Sequence, residues 1–83
     1  MSFYVYILYS KTIDEYYVGH SGHLENRLFR HVHSGSKATK KASDWILVYK
    51  EEFNTKAEAC RREMEIKKRK SRRYIESLVT AST

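Results

Sequence analysis

Apolar and polar residues follow two different periods along this chain, and the points where the period changes divide it into elements. Residues 3 to 9, Phe-Tyr-Val-Tyr-Ile-Leu-Tyr, are β-branched or aromatic at nearly every position. In a strand, Phe3, Val5 and Ile7 share one face and Tyr4, Tyr6 and Leu8 the other. Both faces are rich in apolar surface, which predicts a central strand covered on both sides. Ser10 to Glu15 is polar and turn-like, Tyr16 to His20 reads as the return strand of an antiparallel hairpin, and Ser21-Gly22 ends it. From Leu24 the period lengthens. Leu24, Leu28 and Val32 recur every four residues and Phe29 widens the stripe, so a helix is expected to end near Ser34-Gly35. Residues 36 to 43 are small and basic and read as a surface loop, and Trp45 to Tyr49 as a third strand. Thr55-Lys-Ala-Glu58 fits a capping box, in which the Thr hydroxyl and Glu carboxylate satisfy free backbone N–H groups. The helix it opens is expected to carry Ala57, Cys60 and Met64 inward. Ser71 is expected to cap a last helix with Tyr74, Ile75, Leu78 and Val79 on its buried side. The order β-β-α-β-α-α predicts an α+β fold, a small three-stranded antiparallel sheet flanked by helices.

Length and composition narrow this further. Eighty-three residues suffice for one domain, spanning 1–83, and a second core will not fit. A chain this short hides only about 60% of the surface its unfolded form exposes, so the core must come from a few large side chains. The 13% aromatic content, with seven Tyr, meets that need. With 41% hydrophobic residues and a mean hydropathy of -0.69, the chain is too apolar for disorder and too polar for a membrane protein. No apolar run approaches the roughly 18 residues of a membrane span, and no secretory signal pattern opens the chain. The one cysteine, Cys60, forms no internal disulfide and heads no cysteine zinc site. A small, soluble, cytoplasmic protein with no membrane partner is expected.

Charge changes the picture more. The formal net charge is +6, and residues 61 to 73 account for all of it. A basic stripe of this kind is the electrostatic footprint of a polyanion binder, because each phosphate contact releases counterions. The plain alternative is a solvated helix face. The run lacks the Trp, Phe and Leu that would insert into a membrane surface.

Four features carry candidate chemistry. Tyr6 and Tyr17 lie on adjacent antiparallel strands and can project from one sheet face; paired tyrosines also serve as core or edge packing. Arg27 and His31 are four apart on the first helix and share a face. A guanidinium one turn from an imidazole suits phosphate, through forked donors and a proton that moves near neutral pH. An exposed helix face is the alternative. Glu63 lies on the second long helix near Lys56, Ala59 and Lys67, where a simple Glu-to-Lys ion pair worth about 0.2–0.5 kcal/mol would also explain it. The four histidines, His20, His23, His31 and His33, match no familiar zinc-ligand spacing.

The order of these residues resembles the GIY-YIG endonuclease superfamily, and the chain is similar in size to small stand-alone members related to the nuclease domain of bacterial excision-repair incision enzymes. Tyr4-Val5-Tyr6 stands where the first motif belongs and Tyr17-Val18-Gly19 where the second does. Arg27 and His31 fall on the following helix as the family's arginine and its frequent histidine partner do, and Glu63 lies where the family places its metal-binding glutamate. The resemblance covers nearly the whole chain, residues 3 to 78. The chain departs from the pattern in several places. Tyr4 replaces the motif glycine, Val18 replaces an isoleucine, and His20 stands where some relatives carry lysine. No asparagine follows Glu63.

The resemblance implies a metal-dependent endonuclease that hydrolyses DNA phosphodiester bonds, possible roles being repair or recombination; the alternative is a non-catalytic nucleic-acid-binding module on the same fold. A protein-interaction domain with an acidic partner is a third reading. In the nuclease reading Glu63 holds one divalent ion, Mg²⁺ or Mn²⁺, because a lone carboxylate suits a cation that keeps its waters. Arg27 pairs with the scissile phosphate. Tyr6 activates or positions the water, with His31 as proton acceptor, and Tyr17 orients water or phosphate. Lys67, Lys68, Lys70, Arg72 and Arg73 hold the backbone of the DNA, or of RNA in its place. The lack of an appended recognition domain points to low sequence specificity, a homodimer or a protein partner.

Overall fold

The computed structural model describes residues 2–26, 42 and 44–81. Strand β1 (Phe3–Ser10) pairs antiparallel with both β2 (Glu15–Ser21) and β3 (Ile46–Phe53), giving the sheet order β2-β1-β3. Helices α1 (Lys56–Lys68) and α2 (Arg72–Ala81) follow. This is the expected α+β architecture with β1 in the centre, and β1 is buried from Val5 through Leu8. Leu24 to Asn26 begin a helical turn where the Leu24 helix was expected; the rest of that helix, including Arg27, Leu28, Phe29, His31 and Val32, lies outside the described residues. Among the described residues no helix is long and apolar enough to cross a membrane.

Each face of the sheet carries its own apolar cluster, as the alternation along β1 predicts. Val5 and Ile7 join Val18, Ala59 and Ile66 under α1, with Phe3, Phe53, Tyr74, Ile75 and Leu78 packed around them. Tyr6 and Leu8 join Trp45 on the other face, where Tyr17 and Leu24 cover them. The third strand runs further than the apolar run predicts, through Glu51 and Glu52 to Phe53. Its register slips between Ile7 and Leu8, which pair with Tyr49 and Leu47 and leave Val48 between them. Such a bulge breaks the period of two, so β3 could not be bounded by alternation.

Helix α1 begins at the predicted cap: the Glu58 amide donates to Thr55 Oγ1 at 3.2 Å, and the Thr55 hydroxyl donates to the Glu58 carboxylate at 3.0 Å. Its inward face, however, is not the expected one. Met64 is 64% exposed and Ala57 is exposed, while Ala59 and Ile66 are buried and Cys60 is half-buried. The physical reason lies beside Met64, where Arg62 and Glu63 are drawn inward by partners. Arg62 donates from Nε to Glu51 at 3.2 Å and from a terminal nitrogen to the Tyr74 hydroxyl at 3.1 Å, and it also pairs with Glu65. Burial works against the Arg62 charge, but the bonds to Tyr74 and Glu51 raise its pKa above the ordinary value. Turning these residues inward rotates Met64 to solvent.

Ser71 caps α2, accepting from the Tyr74 amide at 3.1 Å, and Tyr74, Ile75, Leu78 and Val79 are half-buried on the expected side. A second clasp closes the turn between β1 and β2. The Asp44 carboxylate accepts from the buried Ser10 hydroxyl at 2.5 Å and from the Thr12 amide and hydroxyl at 3.0 and 2.8 Å. The Ser10 bond, with those from Thr12, holds the Asp44 carboxyl down to about 2. A group whose folded pKa is depressed stabilises the fold above its unfolded value and loses that contribution as pH falls through the folded one. Asp44→Asn is therefore expected to flatten the fall in thermal stability between about pH 4 and pH 2. Melting curves recorded across that range check this, and an unchanged acid limb would mean that the clasp contributes nothing.

Candidate active site

The residues that meet at the site come from both sides of the sheet. On β2, Tyr17 and Gly19 alternate with Tyr16, Val18 and His20, so Tyr17 lies on the Tyr6 face and His20 faces α1. Tyr6 is opposite Gly19 in the register, with Tyr17 one diagonal away, and the two rings tilt together with centroids 6.4 Å apart. Gly19 makes this approach possible. A Cβ there would lie 2.7 Å from the Tyr6 hydroxyl oxygen, 2.8 Å from the ring carbon that bears it and 3.1 Å from the Tyr17 ring. With no side chain in the way, the Tyr6 hydroxyl lies across β2, an edge strand, towards its outer rim.

From the opposite face, α1 brings Glu63 to the same rim. One carboxylate oxygen is 2.6 Å from His20 Nδ1 and the other 2.8 Å from the Lys67 ammonium, one helical turn on. The ion pair at four-residue spacing is thus present, but it is part of a larger arrangement. The Lys67 ammonium also stands 5.9 Å from the centre of the Tyr17 ring, reaching around the strand edge. Burial pushes the Glu63 carboxyl up, yet the bonds from Lys67 and His20 outweigh it and hold the group below the ordinary carboxylate value. It is therefore ionised at neutral pH. Tyr6, Tyr17, Gly19, His20 and Glu63 line one pocket of about 510 Å³, which Phe3, His23 and Lys56 help to enclose.

The pattern that joins these residues is that of a known family. The GIY-YIG catalytic domain matches residues 2–75. The chain belongs to the GIY-YIG catalytic-domain family. A UPF0213 protein of Staphylococcus haemolyticus is 43% identical over 65 residues, which cover 77% of this chain and 78% of that protein. A UPF0213 protein of Staphylococcus saprophyticus is 42% identical with the same coverage. The solution NMR structure of a UPF0213 protein from Bacillus halodurans has a TM-score of 0.60 and 36% identity, covering 98% of this chain and 85% of that one.

Within this GIY-YIG domain, the structure brings together Tyr6, Tyr17, Glu63 and Lys67; Arg27 and His31 lie outside the described residues. Tyr4, at the motif glycine's position, leaves the pocket clear: its hydroxyl is 3.5 Å from Glu52 and Lys50 stands 5.8 Å over its ring. The basic stretch divides. Arg72 is committed to Asp14, through its carboxylate at 2.6 Å and its backbone carbonyl at 2.8 Å, and lies over Tyr16. Arg69 covers Tyr74 at 4.2 Å. Lys68, Lys70 and Arg73 are exposed and have no ion-pair partner among the described residues.

His20, a candidate zinc ligand by sequence and the counterpart of a lysine in some relatives, is instead the partner of Glu63. The signal was in the alternation: two residues after the buried Val18, it had to face α1. Among the described residues no three His, Cys, Asp or Glu side chains cluster as a metal cage. The donor set that is present, one ionised carboxylate at an open pocket, fits a single hard cation that keeps most of its waters. A two-metal centre needs several clustered carboxylates. Both Glu63 oxygens are bonded, so a cation held by Glu63 would compete with His20 or the Lys67 ammonium for it.

Proposed function

We propose that this protein is a divalent-metal-dependent endonuclease that hydrolyses DNA phosphodiester bonds, acting in repair or recombination. The observation that carries the reading is the shared pocket of Tyr6, Tyr17 and an ionised Glu63, formed by residues from opposite faces of the sheet. Family membership supports the same chemistry. Glu63 would hold one Mg²⁺ or Mn²⁺, which supplies Lewis-acid stabilisation of the phosphoryl charge when bound. Arg27 is assigned to the scissile phosphate, where forked donors match its oxygens. Tyr6 is assigned to positioning the attacking water. A free tyrosine is ionised only about one time in a thousand near pH 7, so His31, with a reference pKa of about 6.5, is assigned as proton acceptor. Tyr17 orients water or phosphate, and the exposed Lys68, Lys70 and Arg73 hold the strand. RNA presents the same phosphate chemistry.

One observation favours a second reading, a nucleic-acid-binding module without catalysis: the Lys67 ammonium already neutralises Glu63. The two separate cleanly by experiment. Plasmid, single-stranded and branched DNA are incubated with the protein and Mg²⁺, Mn²⁺ or chelator. Nicking that needs the metal and falls about a hundredfold in Tyr6→Phe is the expected result. Binding without cleavage on every substrate would replace the enzyme with the module.

A further inference from the structure

A second pocket, of about 390 Å³, opens beside the first where α1, α2 and β2 meet. The two share Tyr17, and Lys67, bound to Glu63 at one site, lines the other. Val18, Ile66 and Ile75 give the second pocket an apolar lining, and Lys70 contributes an ammonium. We propose that this pocket receives the nucleotide adjoining the one in the candidate active-site pocket, with its base on the apolar lining and its phosphate at Lys70. The assignment rests on the function proposed above and names a subsite within it.

Three observations support it. The pocket shares Tyr17 with the candidate active site, and Lys67, paired with Glu63, lines it, so the two lie close enough for neighbouring nucleotides of one strand. Its volume lies at the lower end of the range for small-ligand sites, which suits one nucleotide. Its chemistry is also two-sided, as a nucleotide is. A base has flat apolar faces that aromatic and aliphatic side chains cover whatever the sequence, while its phosphate needs a cation. Of the pocket's cations, Arg72 is committed to Asp14 and Lys67 to Glu63, which leaves Lys70. Glu15 also lines the pocket, so the phosphate belongs at the Lys70 end.

The backbone of Lys70 is a further pointer. Its φ of 49° lies in the left-handed region, where the bend after a helix ordinarily takes glycine. A lysine here accepts a backbone penalty and sets an ammonium at the pocket. Strain of this kind clusters where a side chain has work to do.

The same feature supplies a clean variant. Lys70→Gly removes the ammonium and relieves the backbone, so it should fold at least as well as the parent. The metal-free protein, kept in chelator, is titrated with the dinucleotide thymidylyl-thymidine 5′-phosphate and followed by methyl and amide NMR. The methyls of Val18, Ile66 and Ile75 are expected to shift together with the Gly19 and His20 amides. Lys70→Gly is expected to weaken binding about fivefold and to lower the salt slope by about one phosphate contact. Shifts confined to Gly19 and His20, or an unchanged affinity in Lys70→Gly, would overturn the subsite. Failure of the nuclease reading looks different: the three methyls shift and Lys70→Gly weakens binding, but metal ions bring no cleavage. That outcome keeps the pocket as a nucleotide site and discards the enzyme.

Discussion

Glu63→Gln is expected to lower metal-dependent DNA cleavage by about a thousandfold while leaving the fold intact. Glutamine has the same shape and can still accept from His20 or Lys67, so the packing of α1 survives. What it loses is the charge that a hard cation requires. The wild-type carboxyl is held below its ordinary value by Lys67 and His20 despite its burial. A group with a depressed folded pKa stabilises the protein above its unfolded value, and that contribution fades only as pH falls through the folded one. Glu63 is therefore charged throughout the neutral range, and the variant removes a full negative charge there. Two further measurements keep the result interpretable. Thermal unfolding at neutral pH should fall modestly, because the contribution of the charged carboxylate is lost, and metal-free DNA binding should be equal or tighter, because the net positive charge rises. Wild-type nicking by Glu63→Gln would move the metal to another residue.

Ile66→Ala is expected to destabilise the protein by about 2–5 kcal/mol. Ile66 is 1% exposed and packs in one cluster with Val5, Ile7, Val18 and Ala59, where it joins α1 to the sheet. A small domain has a stability near the low end of the usual 5–15 kcal/mol, so this single truncation removes a large share of it. Ile66 lies one turn beyond Glu63 on the same helix, and weaker docking also loosens the pocket. Urea unfolding gives the energy directly, and nicking at two temperatures shows the consequence: activity retained in the cold and lost on warming. A cost below about 1 kcal/mol would mean that α1 is held by its ion pairs instead.

Helix α1 also marks the limit of reading this sequence. Ala57, Cys60 and Met64 form an apolar stripe that periodicity alone would bury, yet the buried positions are Ala59 and Ile66, with Arg62 and Glu63 turned to the sheet. Periodicity counts hydrophobic side chains and cannot register a charged one whose partners lie elsewhere in the chain. Arg62 is held by Glu51 and Tyr74, and Glu63 by His20, 43 residues before it. The basic stretch shows the same effect. Read in line it is one uniform stripe, but Arg62, Lys67 and Arg72 serve internal pairs with Glu51, Glu63 and Asp14.

The sequence by itself determined the hairpin, the central strand with two apolar faces, the caps at Thr55 and Ser71, and the position of Tyr6 and Tyr17 on a common face. These follow from interactions between near neighbours and from the period of two, which local residues impose. Only the tertiary structure decided which side of α1 faces the sheet, and that Glu63 meets His20 at the rim of β2. Charged groups are buried where partners wait for them, and those partners are brought into reach only when strands and helices distant in the chain have packed.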